Sequence, residues 1–305
     1  MHTGGGDRRH SYSRISLEDY DRVLYYNGQS GFDLCDYSFT DLYIWNHKYH
    51  YVVKEYRGCL LFRGGTRARP LWLFPLGCGD LCAAIGLMGE EAHGHDAPLR
   101  FTALSEEMAR SLDDMFPGRF AYTENRDGAD YIYRVSDLTE LRGKRYHGKR
   151  NFVNRFREEF AGRWSYEPIT EHNLDRVWAF HYAWRRKNGG DSDRTLREEG
   201  ATIAIALDNY ARLRLHGGLL CVGGECVAFS FGSPITGSTY GIQIEKADYD
   251  VPGAYQMINR EFLLQFCAGY EFVNREDDMG VEGLRRAKLS YHPCRIAMKY
   301  EAVEG

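Results

Sequence analysis

The segment from Tyr240 to Tyr291 constrains the chain most, because two short apolar runs in it each end in polar or glycine-bearing chemistry. Tyr240-Gly241-Ile242-Gln243-Ile244 reads as a strand, and Asp248-Tyr249-Asp250-Val251-Pro252-Gly253 breaks it. Ala254, Ile258, Phe262 and Phe266 then recur every four residues, the spacing of a helix face. A second run, Tyr270 to Val273, leads into Asn274-Arg275-Glu276-Asp277-Asp278 and a further helical pattern from Val281 to Leu289. Polar groups therefore collect past the ends of two successive strands. Open α/β sheets bind ligands there, and the N–H groups of a helix start favour an anion.

With 305 residues, 43% hydrophobic and 27% charged, the chain has the composition of a soluble globular protein of two domains or one large one. No apolar stretch approaches the roughly 18 to 20 residues of a membrane span, and Met1 to His10 lacks the apolar centre of a secretion signal. The expectation is a cytoplasmic protein without a transmembrane segment, its first residues disordered. A net charge of −4 argues against a surface covered in nucleic-acid-binding charge but leaves room for one local strip. That strip lies within Asp137 to Phe160: from Arg142 onward, Arg142, Lys144, Arg145, Lys149, Arg150, Arg155 and Arg157 come before the next acid, Glu158. It is either a solvated helix face or a seat for phosphate groups.

The eight cysteines are scattered; only Cys78 with Cys82 and Cys221 with Cys226 are close, and neither pair has a partner pair at zinc spacing. They read as reduced thiols. His93-Gly94-His95, flanked by Asp96 and Pro98, reads as a solvated loop, so no metal is expected. His181, on the same helical face as Val177 and Trp184, reads as a core histidine.

Both halves run helix, helix, three strands, glycine-bearing turn, helix, strand, helix, strand. Gly223-Gly224 is a hairpin turn, and Asn125-Arg126-Asp127-Gly128 reads as a second turn, between strands Phe120–Thr123 and Tyr131–Val135. The expected organisation is a disordered 1–14, a first domain over 15–136, a basic linker helix over 137–163 and a second domain over 164–305 carrying the donor site. The fold class is α+β (α/β): two tandem domains, each a mixed, mostly antiparallel sheet flanked by helices. This is also the element order of the GNAT acyltransferase fold.

Two segments make a more specific resemblance, GKRYHGKRNFVNRF (Gly143 to Phe156) and FVNREDDMGVEGLRRAKLSYHPCRIAMKY (Phe272 to Tyr300). They resemble the signature segments of the phosphatidylglycerol lysyltransferase C-terminal domain family. That family is similar to the Fem peptidyltransferases, with two GNAT-like domains in tandem, and the resemblance runs from about Ser16 onward. It implies transfer of an acyl or aminoacyl group to an amine or hydroxyl. The donor would be a phosphate-bearing carrier, aminoacyl-tRNA or a coenzyme A thioester. Lipid is one candidate acceptor.

Such a transfer needs a cradle for carrier phosphates, a strand edge to align the acyl group and a route for the proton. Val251, Gly253, Ala254 and Tyr255 are expected to offer backbone N–H groups, with Ile242 and Ile244 on the aligning strand. Asn274, Arg275, Lys144, Lys149 and Arg150 are further candidates for holding the donor. Glu276 or Asp277 would accept the proton, and Tyr291 or Lys288 would donate to the leaving group or oxyanion, Lys288 being equally readable as a structural ion-pair partner. The competing function is a non-catalytic protein that keeps the fold and recognises coenzyme A, a nucleotide or an RNA end.

Overall fold

Local chemistry sets many of the element ends in the computed structural model, which describes residues 11–305. Ser38 Oγ accepts the Asp41 N–H at 3.1 Å and Ser105 Oγ the Met108 N–H at 3.2 Å, starting helices Phe39–Ile44 and Glu106–Met115. Gly223 and Gly224, at φ +60° and +88°, join strands His216–Val222 and Glu225–Pro234 as the expected two-residue hairpin. The disorder expected of Met1 to His10 lies outside the described residues. Ser13 and Arg14, placed in that tail by the sequence, instead pair with Val53 and Val52 as a short strand.

The turn expected at Asn125 to Gly128 is not formed; one strand runs from Phe120 to Arg134. Asn125 Oδ1 accepts the Gly128 N–H at 3.0 Å, a local bond that occupies the turn-forming side chain while the backbone stays extended.

The residues group into two units. The first holds the chain up to Asp130 with Asp277–Gly280 and Ala297–Gly305; the second holds Tyr131–Glu276 and Val281–Ile296. This differs from the expected division: residues 131–136 belong to the second unit and Asp277–Gly280 to the first. Ala297–Gly305 joins the first unit, where Tyr300 pairs with Leu104. The basic segment, expected as a linker, lies wholly within the second unit as helix Val135–Glu140, a 3-10 turn Lys144–Tyr146 and helix His147–Glu159. Its apolar positions Val153 and Phe156 explain this, since both are buried in that unit's core.

In the first unit Val52–Tyr56, Cys59–Thr66 and Arg69–Trp72 form an antiparallel meander, and Arg69–Trp72 pairs in parallel with Arg100–Leu104. Its interior contains a charged knot. Lys299 Nζ lies 2.7 Å from Asp130 Oδ1, 2.5 Å from Asp36 Oδ2 and 3.4 Å from Cys35 Sγ. Burial alone would lower the Lys299 pKa, but Asp130 and Asp36 outweigh it and hold it well above the ordinary value. Cys35, Asp36 and Asp130 have a ligand-like clustering, and the ammonium of Lys299 fills it. His93 binds Glu304 at 2.8 Å.

In the second unit the strands lie in the order Trp164–Pro168, His216–Val222, Glu225–Pro234, Thr239–Ala247, Phe272–Asn274, then the last residues of Phe120–Arg134. Only the contact of Thr239–Ala247 with Phe272–Asn274 is parallel in this set, and helix Ala254–Phe266 makes the crossover between them. That helix buries Ala254, Met257, Ile258, Phe262 and Leu263 together with Tyr240, Ile242, Val153 and Phe156. Each fully buried large side chain contributes about 1.5 to 3 kcal/mol.

Candidate active site

Strand Thr239–Ala247 carries a bulge: Ile244 pairs with Phe231 and Ile242 with Gly232, so the register shifts at Gln243. Past it, Glu245 Oε1 accepts from Arg275 Nη2 at 2.7 Å, and Glu245 Oε2 accepts from Asn259 Nδ2 at 2.9 Å. Arg275 follows strand Phe272–Asn274, so the parallel strand pair delivers carboxylate and guanidinium to one place. The Arg275 guanidinium carbon lies 4.7 Å from the Tyr291 ring centre and 5.6 Å from that of Tyr133. Burial opposes its charge, but Glu245 and the two tyrosines together hold it more firmly protonated than usual.

Helix His147–Glu159 adds Lys149. Its Nζ lies 3.9 Å from the Tyr291 ring centre and donates to Ser290 Oγ at 2.6 Å. Burial, and then the positive charge of Arg275, lower its pKa to about 8, with Glu245 opposing. The ring face also favours the ammonium, a weaker effect of about 0.5 to 1 kcal/mol.

Tyr291 is 6% exposed, and among the described residues its hydroxyl has no hydrogen-bond partner, although Arg275 and Gln256 lie near enough to act on it. Burial, against the pull of Arg275, keeps it a neutral phenol well beyond its ordinary range. The cluster thus combines two cations, one carboxylate and an unspent O–H donor.

The other expected residues are distributed unevenly. Ile242, Gln243 and Ile244 are all buried, Ile242 within the core, and Glu245 is the partly exposed residue of this stretch. Asn274 is fully buried, and its Oδ1 accepts the Glu276 N–H at 2.7 Å. Glu276 has left-handed backbone, φ +58°, and its carbonyl accepts from Tyr131 N at 3.1 Å. Lys288 Nζ donates to the carbonyls of Arg275 and Glu276, the latter at 3.2 Å, so its ammonium clamps this loop. Asp277 belongs to the first unit, where its charge acts on Tyr49 and Lys299.

At the helix start, Gly253 has φ +87°. A Cβ there would stand 2.6 Å from the Phe152 carbonyl oxygen and 3.0 Å from Phe156 Cβ, so helix His147–Glu159 covers that side. Val251 and Tyr255 are half-buried, Ala254 is core, and the Tyr255 ring lies 5.1 Å from that of Tyr249.

Much of the basic strip is paired within the second unit. Arg142 meets Glu140, Arg145 meets Asp137, Arg155 meets Glu159 and Arg157 meets Glu261. Arg150 Nη1 donates to the Leu141 carbonyl at 2.5 Å, capping the preceding helix. Lys144 is exposed and, among the described residues, has no ion-pair partner.

Sequence reasoning gave no role to Tyr133 or Gln256; it placed Gln243 and Glu245 only on the aligning strand, and Ser290 only in the polar cluster before Tyr291. Glu245 carried the one available signal, an acid ending a long buried strand.

The model of the family "phosphatidylglycerol lysyltransferase, C-terminal" matches residues 30–303. A solved protein of unknown function from Bacteroides thetaiotaomicron is 36% identical with a TM-score of 0.93, covering 96% of this chain and 99% of that one. The L-PGS structure from Bacillus licheniformis is 17% identical with a TM-score of 0.66, covering 96% and 93%. A tandem GNAT protein from the clavulanic acid biosynthesis pathway is 10% identical with a TM-score of 0.50, covering 97% and 98%. These likenesses show a tandem GNAT-like fold. An uncharacterised protein from Mycoplasmoides gallisepticum is 24% identical over 180 residues, 58% of this chain, and the match spans 56% of that protein's length. Among the described residues, no helix is long and apolar enough to cross a membrane. The match over residues 30–303 settles the relationship, and the chain belongs to the phosphatidylglycerol lysyltransferase C-terminal domain family.

Proposed function

We propose that this protein transfers an acyl or aminoacyl group from a phosphate-bearing carrier, aminoacyl-tRNA or a coenzyme A thioester, to an amine or hydroxyl acceptor. The observation that carries the reading is Tyr291, whose unspent, neutral hydroxyl sits beside Arg275 with the Lys149 ammonium over its ring. A tetrahedral intermediate of acyl transfer puts negative charge on the carbonyl oxygen, and an O–H donor with two nearby cations is suited to that charge.

The Tyr291 hydroxyl is sealed from solvent, so a donor reaches it by displacing the long Lys149 side chain from the ring. Lys149 then takes the role first expected of Glu276 or Asp277. With a pKa near 8 it is partly unprotonated near neutral pH and accepts the proton of the attacking amine or hydroxyl. The ester or thioester bond breaks as the new amide or ester forms, and the carrier leaves with a proton. Asn259 holds Glu245, Glu245 fixes Arg275, and Lys288 fixes the loop on which Arg275 stands. In this reading Lys144 and the exposed face of helix His147–Glu159 would meet the carrier phosphates. The first donor–acceptor pair to test follows the family's description, a lysyl donor with phosphatidylglycerol.

The experiment is transfer itself, followed by mass spectrometry of the acceptor. Lysyl-tRNA, other aminoacyl-tRNAs and short acyl-coenzyme A thioesters are offered with phosphatidylglycerol vesicles or a mixture of amines. Product from one class of donor, lost in Tyr291→Phe, is expected. Tight binding of a donor with no transfer to any acceptor leaves the non-catalytic binding protein as the reading.

A further inference from the structure

Away from that cluster, the hairpin His216–Val222 and Glu225–Pro234 sets two cysteines against each other. Register pairs Val222 with Glu225 beside the Gly223-Gly224 turn, and Cys221 with Cys226 one step further in. In a two-residue hairpin this second rung is the non-hydrogen-bonded kind, with Cα atoms about 4.5 Å apart. A disulfide needs about 4.4 to 6.8 Å. The ladder shifts register immediately after Cys226, and such a bulge adds the local twist that lets a cross-strand bridge close.

Arg176, from helix Leu174–Lys187, points at the same rung. Its Nη2 lies 2.9 Å from Cys221 Sγ and 3.2 Å from the Gly224 carbonyl, and Nη1 pairs with Glu167. The two thiols are made unlike. The Cys226 S–H and then, after the opposing effect of burial, Arg176 lower the Cys221 pKa, while its hydrogen bond to Cys221 and burial raise that of Cys226. A stabilised sulfur facing a protonated one is the arrangement of an attacking thiol and a resolving thiol. Cys221 is 1% exposed and Cys226 is half-buried, so a small oxidant approaches from the Cys226 side.

We infer that Cys221 and Cys226 form a reversible disulfide site that responds to peroxide, with Cys221 attacking and Cys226 resolving. The Cys221 sulfur attacks one peroxide oxygen, the O–O bond breaks, and a sulfenic acid forms as hydroxide leaves and takes a proton. The Cys226 thiol then attacks the sulfenic sulfur, the S–S bond forms and water departs. Two thiols lose two electrons and two protons in all, and one hydrogen peroxide becomes two waters. Oxidation removes from Arg176 its sulfur partner and clips the end of the hairpin.

The test treats the whole protein with hydrogen peroxide, blocks remaining thiols with N-ethylmaleimide and digests without reductant. No Lys or Arg lies between Leu215 and Glu245, so trypsin leaves both cysteines on one peptide, and cleavage after Glu225 separates them unless they are bridged. Expected are an unblocked tryptic peptide two hydrogens lighter, two fragments still joined after cleavage at Glu225, and reversal by dithiothreitol. Cys226→Ser should leave a sulfenic acid on Cys221 that dimedone traps. Arg176→Met should slow bridging, because the Cys221 sulfur loses the positive charge that stabilises its thiolate. The inference is overturned if exposed Cys78 and Cys82 are fully oxidised while Cys221 and Cys226 remain blocked by maleimide, or if Arg176→Met bridges at the parent rate. The parent digest answers the question even if a variant does not fold.

Discussion

Glu245 and Arg275 stand 30 residues apart in sequence and 2.7 Å apart in the fold, with side chains only 10% and 12% exposed. Taking two charges this far out of water is costly, and the pair recovers that cost only while both members and their hydrogen bonds are in place. Glu245→Ala should therefore destabilise the protein by roughly 3 to 5 kcal/mol in urea unfolding, because Arg275 is left buried without its carboxylate. Combining it with Arg275→Met should restore much of the loss. A single variant with an effect below about 1 kcal/mol, the size of an exposed pair, would show that water reaches the site freely.

The proton route predicts a pH profile. If Lys149 takes the acceptor's proton, kcat/KM should rise as pH increases through about 8, the value at which half of the amine is free base. Lys149→Arg keeps a cation beside Tyr291 but cannot release its proton in this range, so it should lose the rise along with about 100-fold of the rate. Tyr291→Phe should lower kcat by a similar factor and leave the profile's shape intact, since its phenol stays neutral throughout. A Lys149→Arg enzyme with an unchanged profile would return the role to a carboxylate.

What the sequence made legible was what is local. Gly223-Gly224 and Gly253 were readable because left-handed backbone at those turns favours glycine, and Ser105 because a cap needs only its own next few residues. Asn125 to Gly128 misled for the same reason: the turn chemistry is real, but the flanking strand pairing overrides it. The sequence shows Asn274 to Tyr291 as a dense polar stretch, but not which groups in it meet. Nothing near Arg275 announces Glu245, and nothing near Lys288 shows that its ammonium is spent on two carbonyls. The basic strip was visible as charge, yet its meaning depends on partners such as Glu261, 104 positions from Arg157.

His181 predicts how stability depends on pH. It is 1% exposed, both ring nitrogens are unpartnered among the described residues, and burial followed by the charges of Arg185 and Lys246 lowers its pKa from 6.5 to about 4. The folded value lies below the unfolded one, so between these pH values the unfolded chain binds more protons. Stability from this residue is complete above about 6.5 and is lost as pH falls toward 4. At about 1.4 kcal/mol per pKa unit, the loss is on the order of 3 kcal/mol. His181→Phe should flatten the fall in urea-unfolding free energy across that interval. An equally steep fall in the variant would assign the acid sensitivity elsewhere.

The last prediction concerns Gly253, where a packing role and a ligand-binding role can be separated. Any side chain there must adopt φ +87°, costing about 1 to 3 kcal/mol in strain. Its Cβ would also meet the Phe152 carbonyl oxygen at 2.6 Å and force helix His147–Glu159 to shift, adding a similar overpacking cost. Gly253→Ala should accordingly lose roughly 2 kcal/mol or more of stability before any donor is added. Gly269→Ala is the control, because no atom lies within 4 Å of its added Cβ and its φ is not left-handed; it should change stability by well under 1 kcal/mol. Moving helix His147–Glu159 also moves Lys149, so Gly253→Ala should weaken transfer with a donor whose phosphates never touch residue 253. If instead the variant is as stable as its parent and loses only donor binding, the start of helix Ala254–Phe266 is open to ligand, and Gly253 belongs to the cradle rather than to the packing.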